Sequence, residues 1–167
     1  MKLILVRHGQ AEPYCDDDAG RRLTHVGKMQ ASQTADFLVN FTKNNPVDVV
    51  ITSPYHRANQ TASIILNELI CAGQNPAFMT VKNITPDDNP AVGLDGIDHA
   101  VCHQFGTAID DLTVVIVSHM PIIAHLAATL DGTSPVFFEL AECRVFDTPV
   151  IAEGLATQIA QFTPIQT

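Results

Sequence analysis

The sequence has few basic residues and no long apolar run. Its 167 residues include 9 Lys and Arg against 18 Asp and Glu, which gives a formal net charge of -9. This balance argues against non-specific nucleic-acid binding, which needs a basic surface. No apolar stretch approaches the roughly 20 residues of a membrane span, and the N-terminal apolar run is too short for a signal peptide. We therefore expect a cytoplasmic protein that binds neither nucleic acid nor membrane.

Cysteine is scarce, and two common catalytic patterns are missing. The four cysteines are widely spaced: Cys15, Cys71, Cys102 and Cys143. Without a C-x-x-C pair they predict reduced thiols, and neither a disulfide nor a zinc site. No G-x-S-x-G elbow supports a Ser-His-Asp hydrolase. His99 and His103 have i, i+4 spacing, but no H-E-x-x-H motif supports them as metal ligands. We expect no metal and no cofactor.

Strands alternate with helices in a chain of globular composition, with 46% hydrophobic and 16% charged residues. Apolar runs and turn signals predict strands at 3–6, 47–52, 79–81, 113–117, 144–148 and 157–162. Helices are predicted at 24–41, 56–71, 95–109 and 122–130, with a loop at 85–93. The pattern predicts one α/β domain over residues 1–167, without a cap insertion. We expect three layers, α/β/α, around a mostly parallel sheet with an antiparallel edge.

Three strands run into polar signatures. These are Arg7-His8-Gly9, Ser53-Pro54 with Arg57, and Ser118-His119. The ends of parallel strands share one edge of a sheet, where open α/β sheets bind ligands. Two imidazoles and two guanidiniums would meet there, close to two helix N-termini. This combination predicts a pocket for a tetrahedral dianion such as phosphate. The clustering of arginines near these motifs also fits ion pairs with the acidic run 16–18, and both interpretations can hold together.

The signatures, in this order, resemble those of the histidine phosphatase superfamily (phosphoglycerate mutase-like). The resemblance lies in Arg7-His8-Gly9 and in the stretches 53–62 and 117–121, and the alignable region covers nearly the whole chain. The chain most resembles the short SixA-type phosphohistidine phosphatases. Leu23-Thr24 with Gly27, the stretch 84–86 and the lack of a long insertion add to this resemblance.

The resemblance implies a metal-independent phosphatase with a covalent phosphohistidine intermediate. His8 would be the nucleophile that attacks phosphorus. The transferred phosphoryl oxygens would be held by Arg7, Arg57 and His119. Further residues expected to line the phosphate and substrate site are Asp18, Arg21 and Ser53.

The general acid departs from the family pattern. Many members carry a Glu or Asp beyond the middle helix, where this chain has Asn83. Asp87, Asp88 and Asp18 are the candidate acid or base, although aspartates in loops are more often turn residues. A phosphohistidine can leave as neutral imidazole when its far nitrogen is protonated, so it needs less help from an acid than an alcohol does.

A missing acid and a missing cap both favour a phosphoryl group displayed on a protein. We therefore predict a phosphohistidine phosphatase that acts on a phosphorylated protein, such as a histidine-phosphotransfer domain, and that takes phosphate or related anions in its pocket. Two alternatives stay open: a small-molecule phosphomonoesterase of the same fold, and a non-catalytic phosphate-binding interaction module. The sequence does not identify the physiological substrate, the acid or the oligomeric state.

Overall fold

A computed structural model of the protein describes residues 1–106 and 109–167. Within these residues the strands are β1 (Lys2–Arg7), β2 (Val49–Thr52), β3 (Ala77–Thr80), β4 (Thr113–Ser118), β5 (Cys143–Asp147) and β6 (Thr157–Phe162). The helices are α1 (His25–Phe41), α2 (His56–Cys71), α3 (Pro90–Phe105) and α4 (Ile122–Asp131). No helix in the described ranges is both long and apolar enough to cross a membrane.

The strands form one mixed sheet in the order β3-β2-β4-β1-β5-β6. The first four are parallel to one another, whereas β5 pairs antiparallel with β1 and with β6. This confirms the predicted parallel sheet with an antiparallel edge. β1 and β4 are the central strands, and their apolar runs are buried because helices cover both faces of the sheet.

Alternate side chains of β1 enter the two layers of core. Leu3 and Leu5 pack with α3 and α4, while Ile4 and Val6 pack with α1 and α2. All four side chains have no exposed surface, so each stabilises the fold by about 1.5–3 kcal/mol relative to an exposed position. The three-layer α/β/α architecture is thus confirmed, and it holds the end of β1 rigidly.

Helix α3 is the main correction to the predicted elements. It begins at Pro90 and ends at Phe105, whereas the sequence predicted a loop through residue 93 and a helix over 95–109. Asn89 caps the helix by accepting from the Ala91 N–H, and proline is well suited to the first helical position. Gly106 follows at φ 70°, a conformation that ends a helix readily. Positions 107 and 108 of the predicted helix lie outside the described residues.

Helix α1 begins where its cap predicts. Thr24 is the N-cap, and its hydroxyl accepts a hydrogen bond from the Gly27 N–H at 3.0 Å. Gly27 itself contacts the loop that follows β1, since a Cβ there would lie 2.0 Å from the Gln10 carbonyl oxygen. The start of α1 is therefore packed directly against the segment that carries the first signature.

Candidate functional site

The three polar signatures meet at one edge of the sheet because the strand ends are in register. Arg7 pairs with Ser118 across β1 and β4. The ladder continues one residue beyond, where the His8 N–H donates to the Ser118 carbonyl at 3.0 Å. The Ser53 N–H likewise donates to the Val117 carbonyl at 3.0 Å. These backbone bonds fix the first residue after each strand.

A cleft of about 490 Å³ opens at this edge. Its lining is Arg7, His8, Gln10, Ala11, Tyr14, Asp18, Arg21, Arg57, Pro86, Asp87, Met120 and Leu140. Six of the residues predicted for the site therefore face a common space. The other three, Ser53, Asp88 and His119, do not line it. The cleft also contains apolar side chains that the motifs do not indicate.

His8 is held with one ring nitrogen available for attack. Its Nδ1 lies 2.7 Å from the Gly9 carbonyl oxygen. A carbonyl can only accept, so Nδ1 carries the proton and Nε2 keeps a lone pair. Burial, and after it the charges of Arg57 and Arg7, lower the pKa of His8 to about 3, against the opposing effect of the bond to Gly9. The imidazole is therefore neutral at physiological pH and can act as a nucleophile through Nε2.

Gly9 is needed for a close backbone contact. A Cβ on Gly9 would lie 2.4 Å from the Gly27 carbonyl oxygen, which the backbone could not accommodate without moving. The Gly9 N–H donates to Thr61 Oγ1 at 3.1 Å, and this hydroxyl donates to the Arg57 carbonyl at 2.8 Å. The residue after the candidate nucleophile is thus locked between α1 and α2.

Arg57 connects His8 to Asp18. Its Nε lies 3.2 Å from His8 Nε2, and its Nη1 and Nη2 donate to the Asp18 carbonyl and carboxylate at 2.6 and 3.0 Å. The second carboxylate oxygen of Asp18 accepts from Arg21 Nη1 at 2.7 Å. Asp18 thus joins two cationic side chains of the cleft, as the predicted ion pairs with the acidic run require.

Asp18 is ionised over the physiological range. Burial alone would raise its pKa, but hydrogen bonds from Arg21 and Arg57 outweigh burial, and the pKa is lowered from its usual value. A carboxylate with a low pKa and two guanidinium partners is a poor proton donor. This geometry suits a residue that positions Arg57, and it disfavours Asp18 as the general acid.

Arg7 also lines the cleft, and it has a donor to spare. Its Nη1 donates to the Phe138 carbonyl at 2.7 Å, and its guanidinium carbon lies 5.0 Å from the centre of the Phe137 ring. Its Nε is buried and has no hydrogen-bond partner among the described residues. A buried guanidinium donor that faces no protein acceptor is well suited to an anionic oxygen.

His119 lies next to His8, with the two ring centroids 5.0 Å apart. Its Nε2 lies 2.7 Å from Ser53 Oγ, while its Nδ1 is buried with no partner in the described part of the chain. Burial, followed by the charges of His8 and the arginines, lowers the pKa of His119 to about 2. Its imidazole is therefore neutral. Ser53, predicted to bind phosphate, has no exposed surface and instead contacts His119.

The two aspartates beyond α2 differ in their contacts. Asp88 accepts from the Thr85 N–H at 2.8 Å and from the Thr85 hydroxyl at 2.6 Å, which is a local turn contact. Asp87 is exposed and lines the cleft. Of these two candidate acids, only Asp87 faces the space beside His8.

The two histidines with i, i+4 spacing, His99 and His103, do not line the cleft. His99 and His103 lie on α3 with ring centroids 6.4 Å apart. Across residues 1–106 and 109–167, no group of three or more His, Cys, Asp or Glu side chains is placed to hold a metal ion.

Several contacts at the site carry no signal in the sequence. Gln10, Tyr14 and Leu140 line the cleft without belonging to any of the three signatures, whereas Met120 falls within the stretch 117–121. The Ser53–His119 contact joins residues 66 positions apart, so only the sheet brings them together.

The chain is similar in sequence and in fold to known proteins. The model of the histidine phosphatase superfamily (branch 1) matches residues 3–75. The chain is 29% identical over 144 residues to a phosphohistidine phosphatase SixA homolog of Haemophilus influenzae, covering 83% of this chain and 82% of that protein. It is 27% identical to the phosphohistidine phosphatase SixA of Escherichia coli, covering 83% and 80%. A solved structure of the protein histidine phosphatase SixA with tungstate superposes with a TM-score of 0.79 at 22% identity, covering 98% and 97%.

Proposed function

We propose that this chain is a phosphohistidine phosphatase acting on a phosphorylated protein, on the premise that it belongs to the histidine phosphatase superfamily, whose model matches residues 3–75. The observation that carries the proposal is the neutral His8, which lines the cleft and whose Nε2 carries no proton and accepts from Arg57 Nε at 3.2 Å. The names of the relatives, which describe phosphohistidine phosphatases, support the substrate class.

In the first step, His8 Nε2 forms a bond to phosphorus while the bond from phosphorus to the substrate nitrogen breaks. The leaving imidazole takes that electron pair and is neutral when its other nitrogen already carries a proton. The Nδ1–H bond to the Gly9 carbonyl stays in place and stabilises the positive charge that develops on His8.

The cations hold the phosphoryl group during transfer. Arg57 Nε donates to His8 Nε2 at rest, and it must turn its donor to a phosphoryl oxygen as that nitrogen attacks. Arg7 offers its unpartnered Nε, and the neutral His119 offers Nδ1 if the Ser53 hydroxyl donates to Nε2. Positioned charge of this kind supplies most of the catalysis in phosphoryl transfer.

Water completes the cycle. Its oxygen bonds to the phosphorus of phospho-His8, the P–Nε2 bond breaks, and the electron pair returns to Nε2. The proton of the water passes to the released phosphate or to solvent. Every group in this scheme is a protein side chain or water, so we propose that the reaction needs no metal.

The substrate nitrogen needs little protonation, which fits the side chains present. Asp87 is the exposed carboxyl that lines the cleft, and Asp18 is held ionised by its arginines. A phosphohistidine on a partner such as a histidine-phosphotransfer domain leaves without a strong acid, whereas a phosphate ester requires one.

The alternative function is hydrolysis of a small phosphate ester, with Asp87 as the acid. Its position in the cleft is the observation in favour. An Asp87→Asn variant separates the two functions: ester hydrolysis would lose most of its kcat, whereas dephosphorylation of a phosphohistidine protein should change little. A non-catalytic phosphate-binding module would turn over neither substrate.

The decisive experiment replaces the nucleophile. We expect His8→Ala to lose at least about a thousandfold in kcat on a phosphohistidine protein, since covalent catalysis is removed. His25→Ala, at an exposed histidine in the first position of α1, is the matched control. Single-turnover reactions quenched in alkali should show labelled phosphate on the wild-type enzyme and on His25→Ala but not on His8→Ala. Full activity of His8→Ala would refute the mechanism.

A further inference from the structure

Two exposed aromatic side chains flank the cleft on separate loops. Tyr14, in the β1–α1 loop (residues 8–24), is 78% exposed and lines the cleft. Phe137, in the α4–β5 loop (residues 132–142), is 56% exposed and lies beside Arg7. Single exposed apolar residues are ordinary, but apolar side chains gathered around a site mark an interaction surface. Leu140 and Met120, both partly exposed, continue this apolar surface inside the cleft.

The α4–β5 loop is anchored independently of Phe137. The next residue, Phe138, is fully buried with its ring 3.8 Å from the guanidinium carbon of Arg144. Arg144 Nη2 donates to the Phe137 carbonyl at 2.5 Å, and its Nε donates to Glu142 at 2.6 Å. The backbone is therefore fixed by buried contacts, while the Phe137 side chain is directed outward. Its ring adds little to folding and pays little entropy to bind a partner.

The β1–α1 loop is anchored in a comparable way around Tyr14. The Glu12 N–H donates to the Arg22 carbonyl at 2.8 Å, and Arg21 Nε donates to the Glu12 carbonyl at 2.8 Å. Arg21 also pairs with Asp18. Tyr14 itself makes no side-chain hydrogen bond within the described residues. The hydrogen bonds of the loop hold its backbone in place, while the side chain of Tyr14 is exposed to solvent. Exposed tyrosines of this kind are common in protein–protein interfaces.

We infer that Tyr14 and Phe137 form an aromatic rim on which the phosphorylated protein substrate docks. This inference rests on the proposed function. A small metabolite would occupy the cleft and would not need the rim, whereas a protein that inserts a phosphohistidine must cover it. The partner therefore carries apolar side chains next to its phosphohistidine.

The acidic residues near the aromatic rim indicate which charge the partner's contact surface should carry. Exposed acidic residues lie in the same two loops: Glu12, Asp16, Asp17 and Glu139. Together with the net charge of -9, they favour basic residues at the edge of the partner's contact surface. They oppose additional acidic groups there.

The test compares two substrates across matched variants. The substrates are a histidine-phosphotransfer domain phosphorylated on its histidine and phosphoramidate, a small N–P donor. Tyr14→Ala and Phe137→Ala are compared with Ile70→Ala, whose side chain is 49% exposed near the distal end of α2. We expect each rim variant to lower the ratio of kcat/KM for the protein to kcat/KM for phosphoramidate by about tenfold, as loss of one interface anchor does. Ile70→Ala should leave the ratio at its wild-type value.

The outcomes separate the rim from the proposed function. If the wild type hydrolyses phosphoramidate but no phosphoprotein, the proposed protein substrate is wrong. If it hydrolyses the phosphoprotein and the rim variants leave the ratio unchanged, only the docking rim is wrong. A parallel fall on both substrates would assign these residues to catalysis instead. A wild-type dimer that Phe137→Ala converts to monomer would make the rim a contact between copies of this chain, and would also overturn the inference.

Discussion

The two loops that hold the arginines of the cleft do so by different physical means. In the β1–α1 loop, the partly exposed carboxylate of Asp18 binds Arg57 and Arg21. In the α4–β5 loop, the Phe138 carbonyl binds Arg7, and the buried Glu142–Arg144 pair holds that loop in shape. The first contact is a direct charge pair near solvent. In the second contact the acceptor is a neutral carbonyl, and its position depends on the buried Glu142–Arg144 pair.

Because of this difference, we expect substitutions in the β1–α1 loop to affect turnover and substitutions in the α4–β5 loop to affect stability. Loss of the Asp18 carboxylate would leave the buried Arg57 with the Asp18 carbonyl and His8 Nε2 as acceptors, and water can replace a carboxylate that is 30% exposed. Loss of Glu142, whose side chain is only 3% exposed, would remove the carboxylate partner of the buried Arg144 where water cannot replace it. Removing one partner of a buried ion pair is far more damaging than removing one partner of an exposed pair. The α4–β5 loop should therefore limit stability, and the β1–α1 loop should limit turnover.

The largest effect is expected from Glu142→Ala. It should lower the free energy of unfolding by about 3–5 kcal/mol, since Arg144 would stay buried without its carboxylate. The Glu139 N–H would also lose its acceptor, at 2.7 Å in the native protein. Urea unfolding followed by circular dichroism measures this change. Glu139→Ala, at an exposed neighbour in the same loop, is the control and should stay within about 0.5 kcal/mol of wild type. Equal losses in the two variants would contradict the role of the buried pair.

The sequence predicts that these side chains meet at one edge of the sheet, because strand ends and polar signatures coincide. Buried β-branched runs place β1 and β4 correctly, and parallel pairing then brings Arg7, His8 and Ser118 into register. The presence of Arg57 in the same cleft follows from the same rule. Local patterns suffice here, since each residue ends a strand, directly follows one or lies in the first turn of the next helix.

Contacts between distant loops could not be predicted from local patterns. The sequence offers Asp16, Asp17 and Asp18 as partners for the arginines, but only the structure selects Asp18. Arg144 lies near the start of β5, between β1 and β6, and nothing in the neighbouring sequence indicates that it supports the loop beside Arg7. The sequence predicts that α3 begins at residue 95, five residues after its true start at Pro90, because Asn89 and Pro90 are typical of loops. Together, however, they form the N-cap and the first position of a helix.

A smaller effect, on turnover, is expected from Asp18→Asn. The amide keeps the shape of the side chain but removes the charge that holds Arg57 Nη2 and Arg21 Nη1. Because Asp18 positions Arg57 beside His8, kcat/KM should fall by about tenfold or more. The unfolding free energy should fall by less than in Glu142→Ala, since Asp18 is 30% exposed and water can replace its carboxylate. Steady-state kinetics on a phosphohistidine protein measures the fall. Asp16→Asn, in the same acidic run, is the control and should leave kcat/KM nearly unchanged. A similar fall in that variant would show that the loss of any negative charge near the cleft lowers kcat/KM, whether or not the carboxylate binds Arg57.

The smallest effect should come from pH, and it tests whether the two loops act over the same range. The pKa of Asp18 is lowered from its ordinary 3.8, so its contribution is complete above that value and is lost only as pH falls through the lowered pKa. The Phe138 carbonyl that holds Arg7 does not titrate. Both contacts therefore persist from about pH 5 to 8, where Asp18 stays charged. The ratio of kcat/KM for wild type to that for Asp18→Asn, measured at constant ionic strength, should stay constant within about twofold over this range. A ratio that shrinks toward unity between pH 8 and 5 would show that Asp18 gains a proton there, and the charge pair with Arg57 would then be weaker than its geometry indicates.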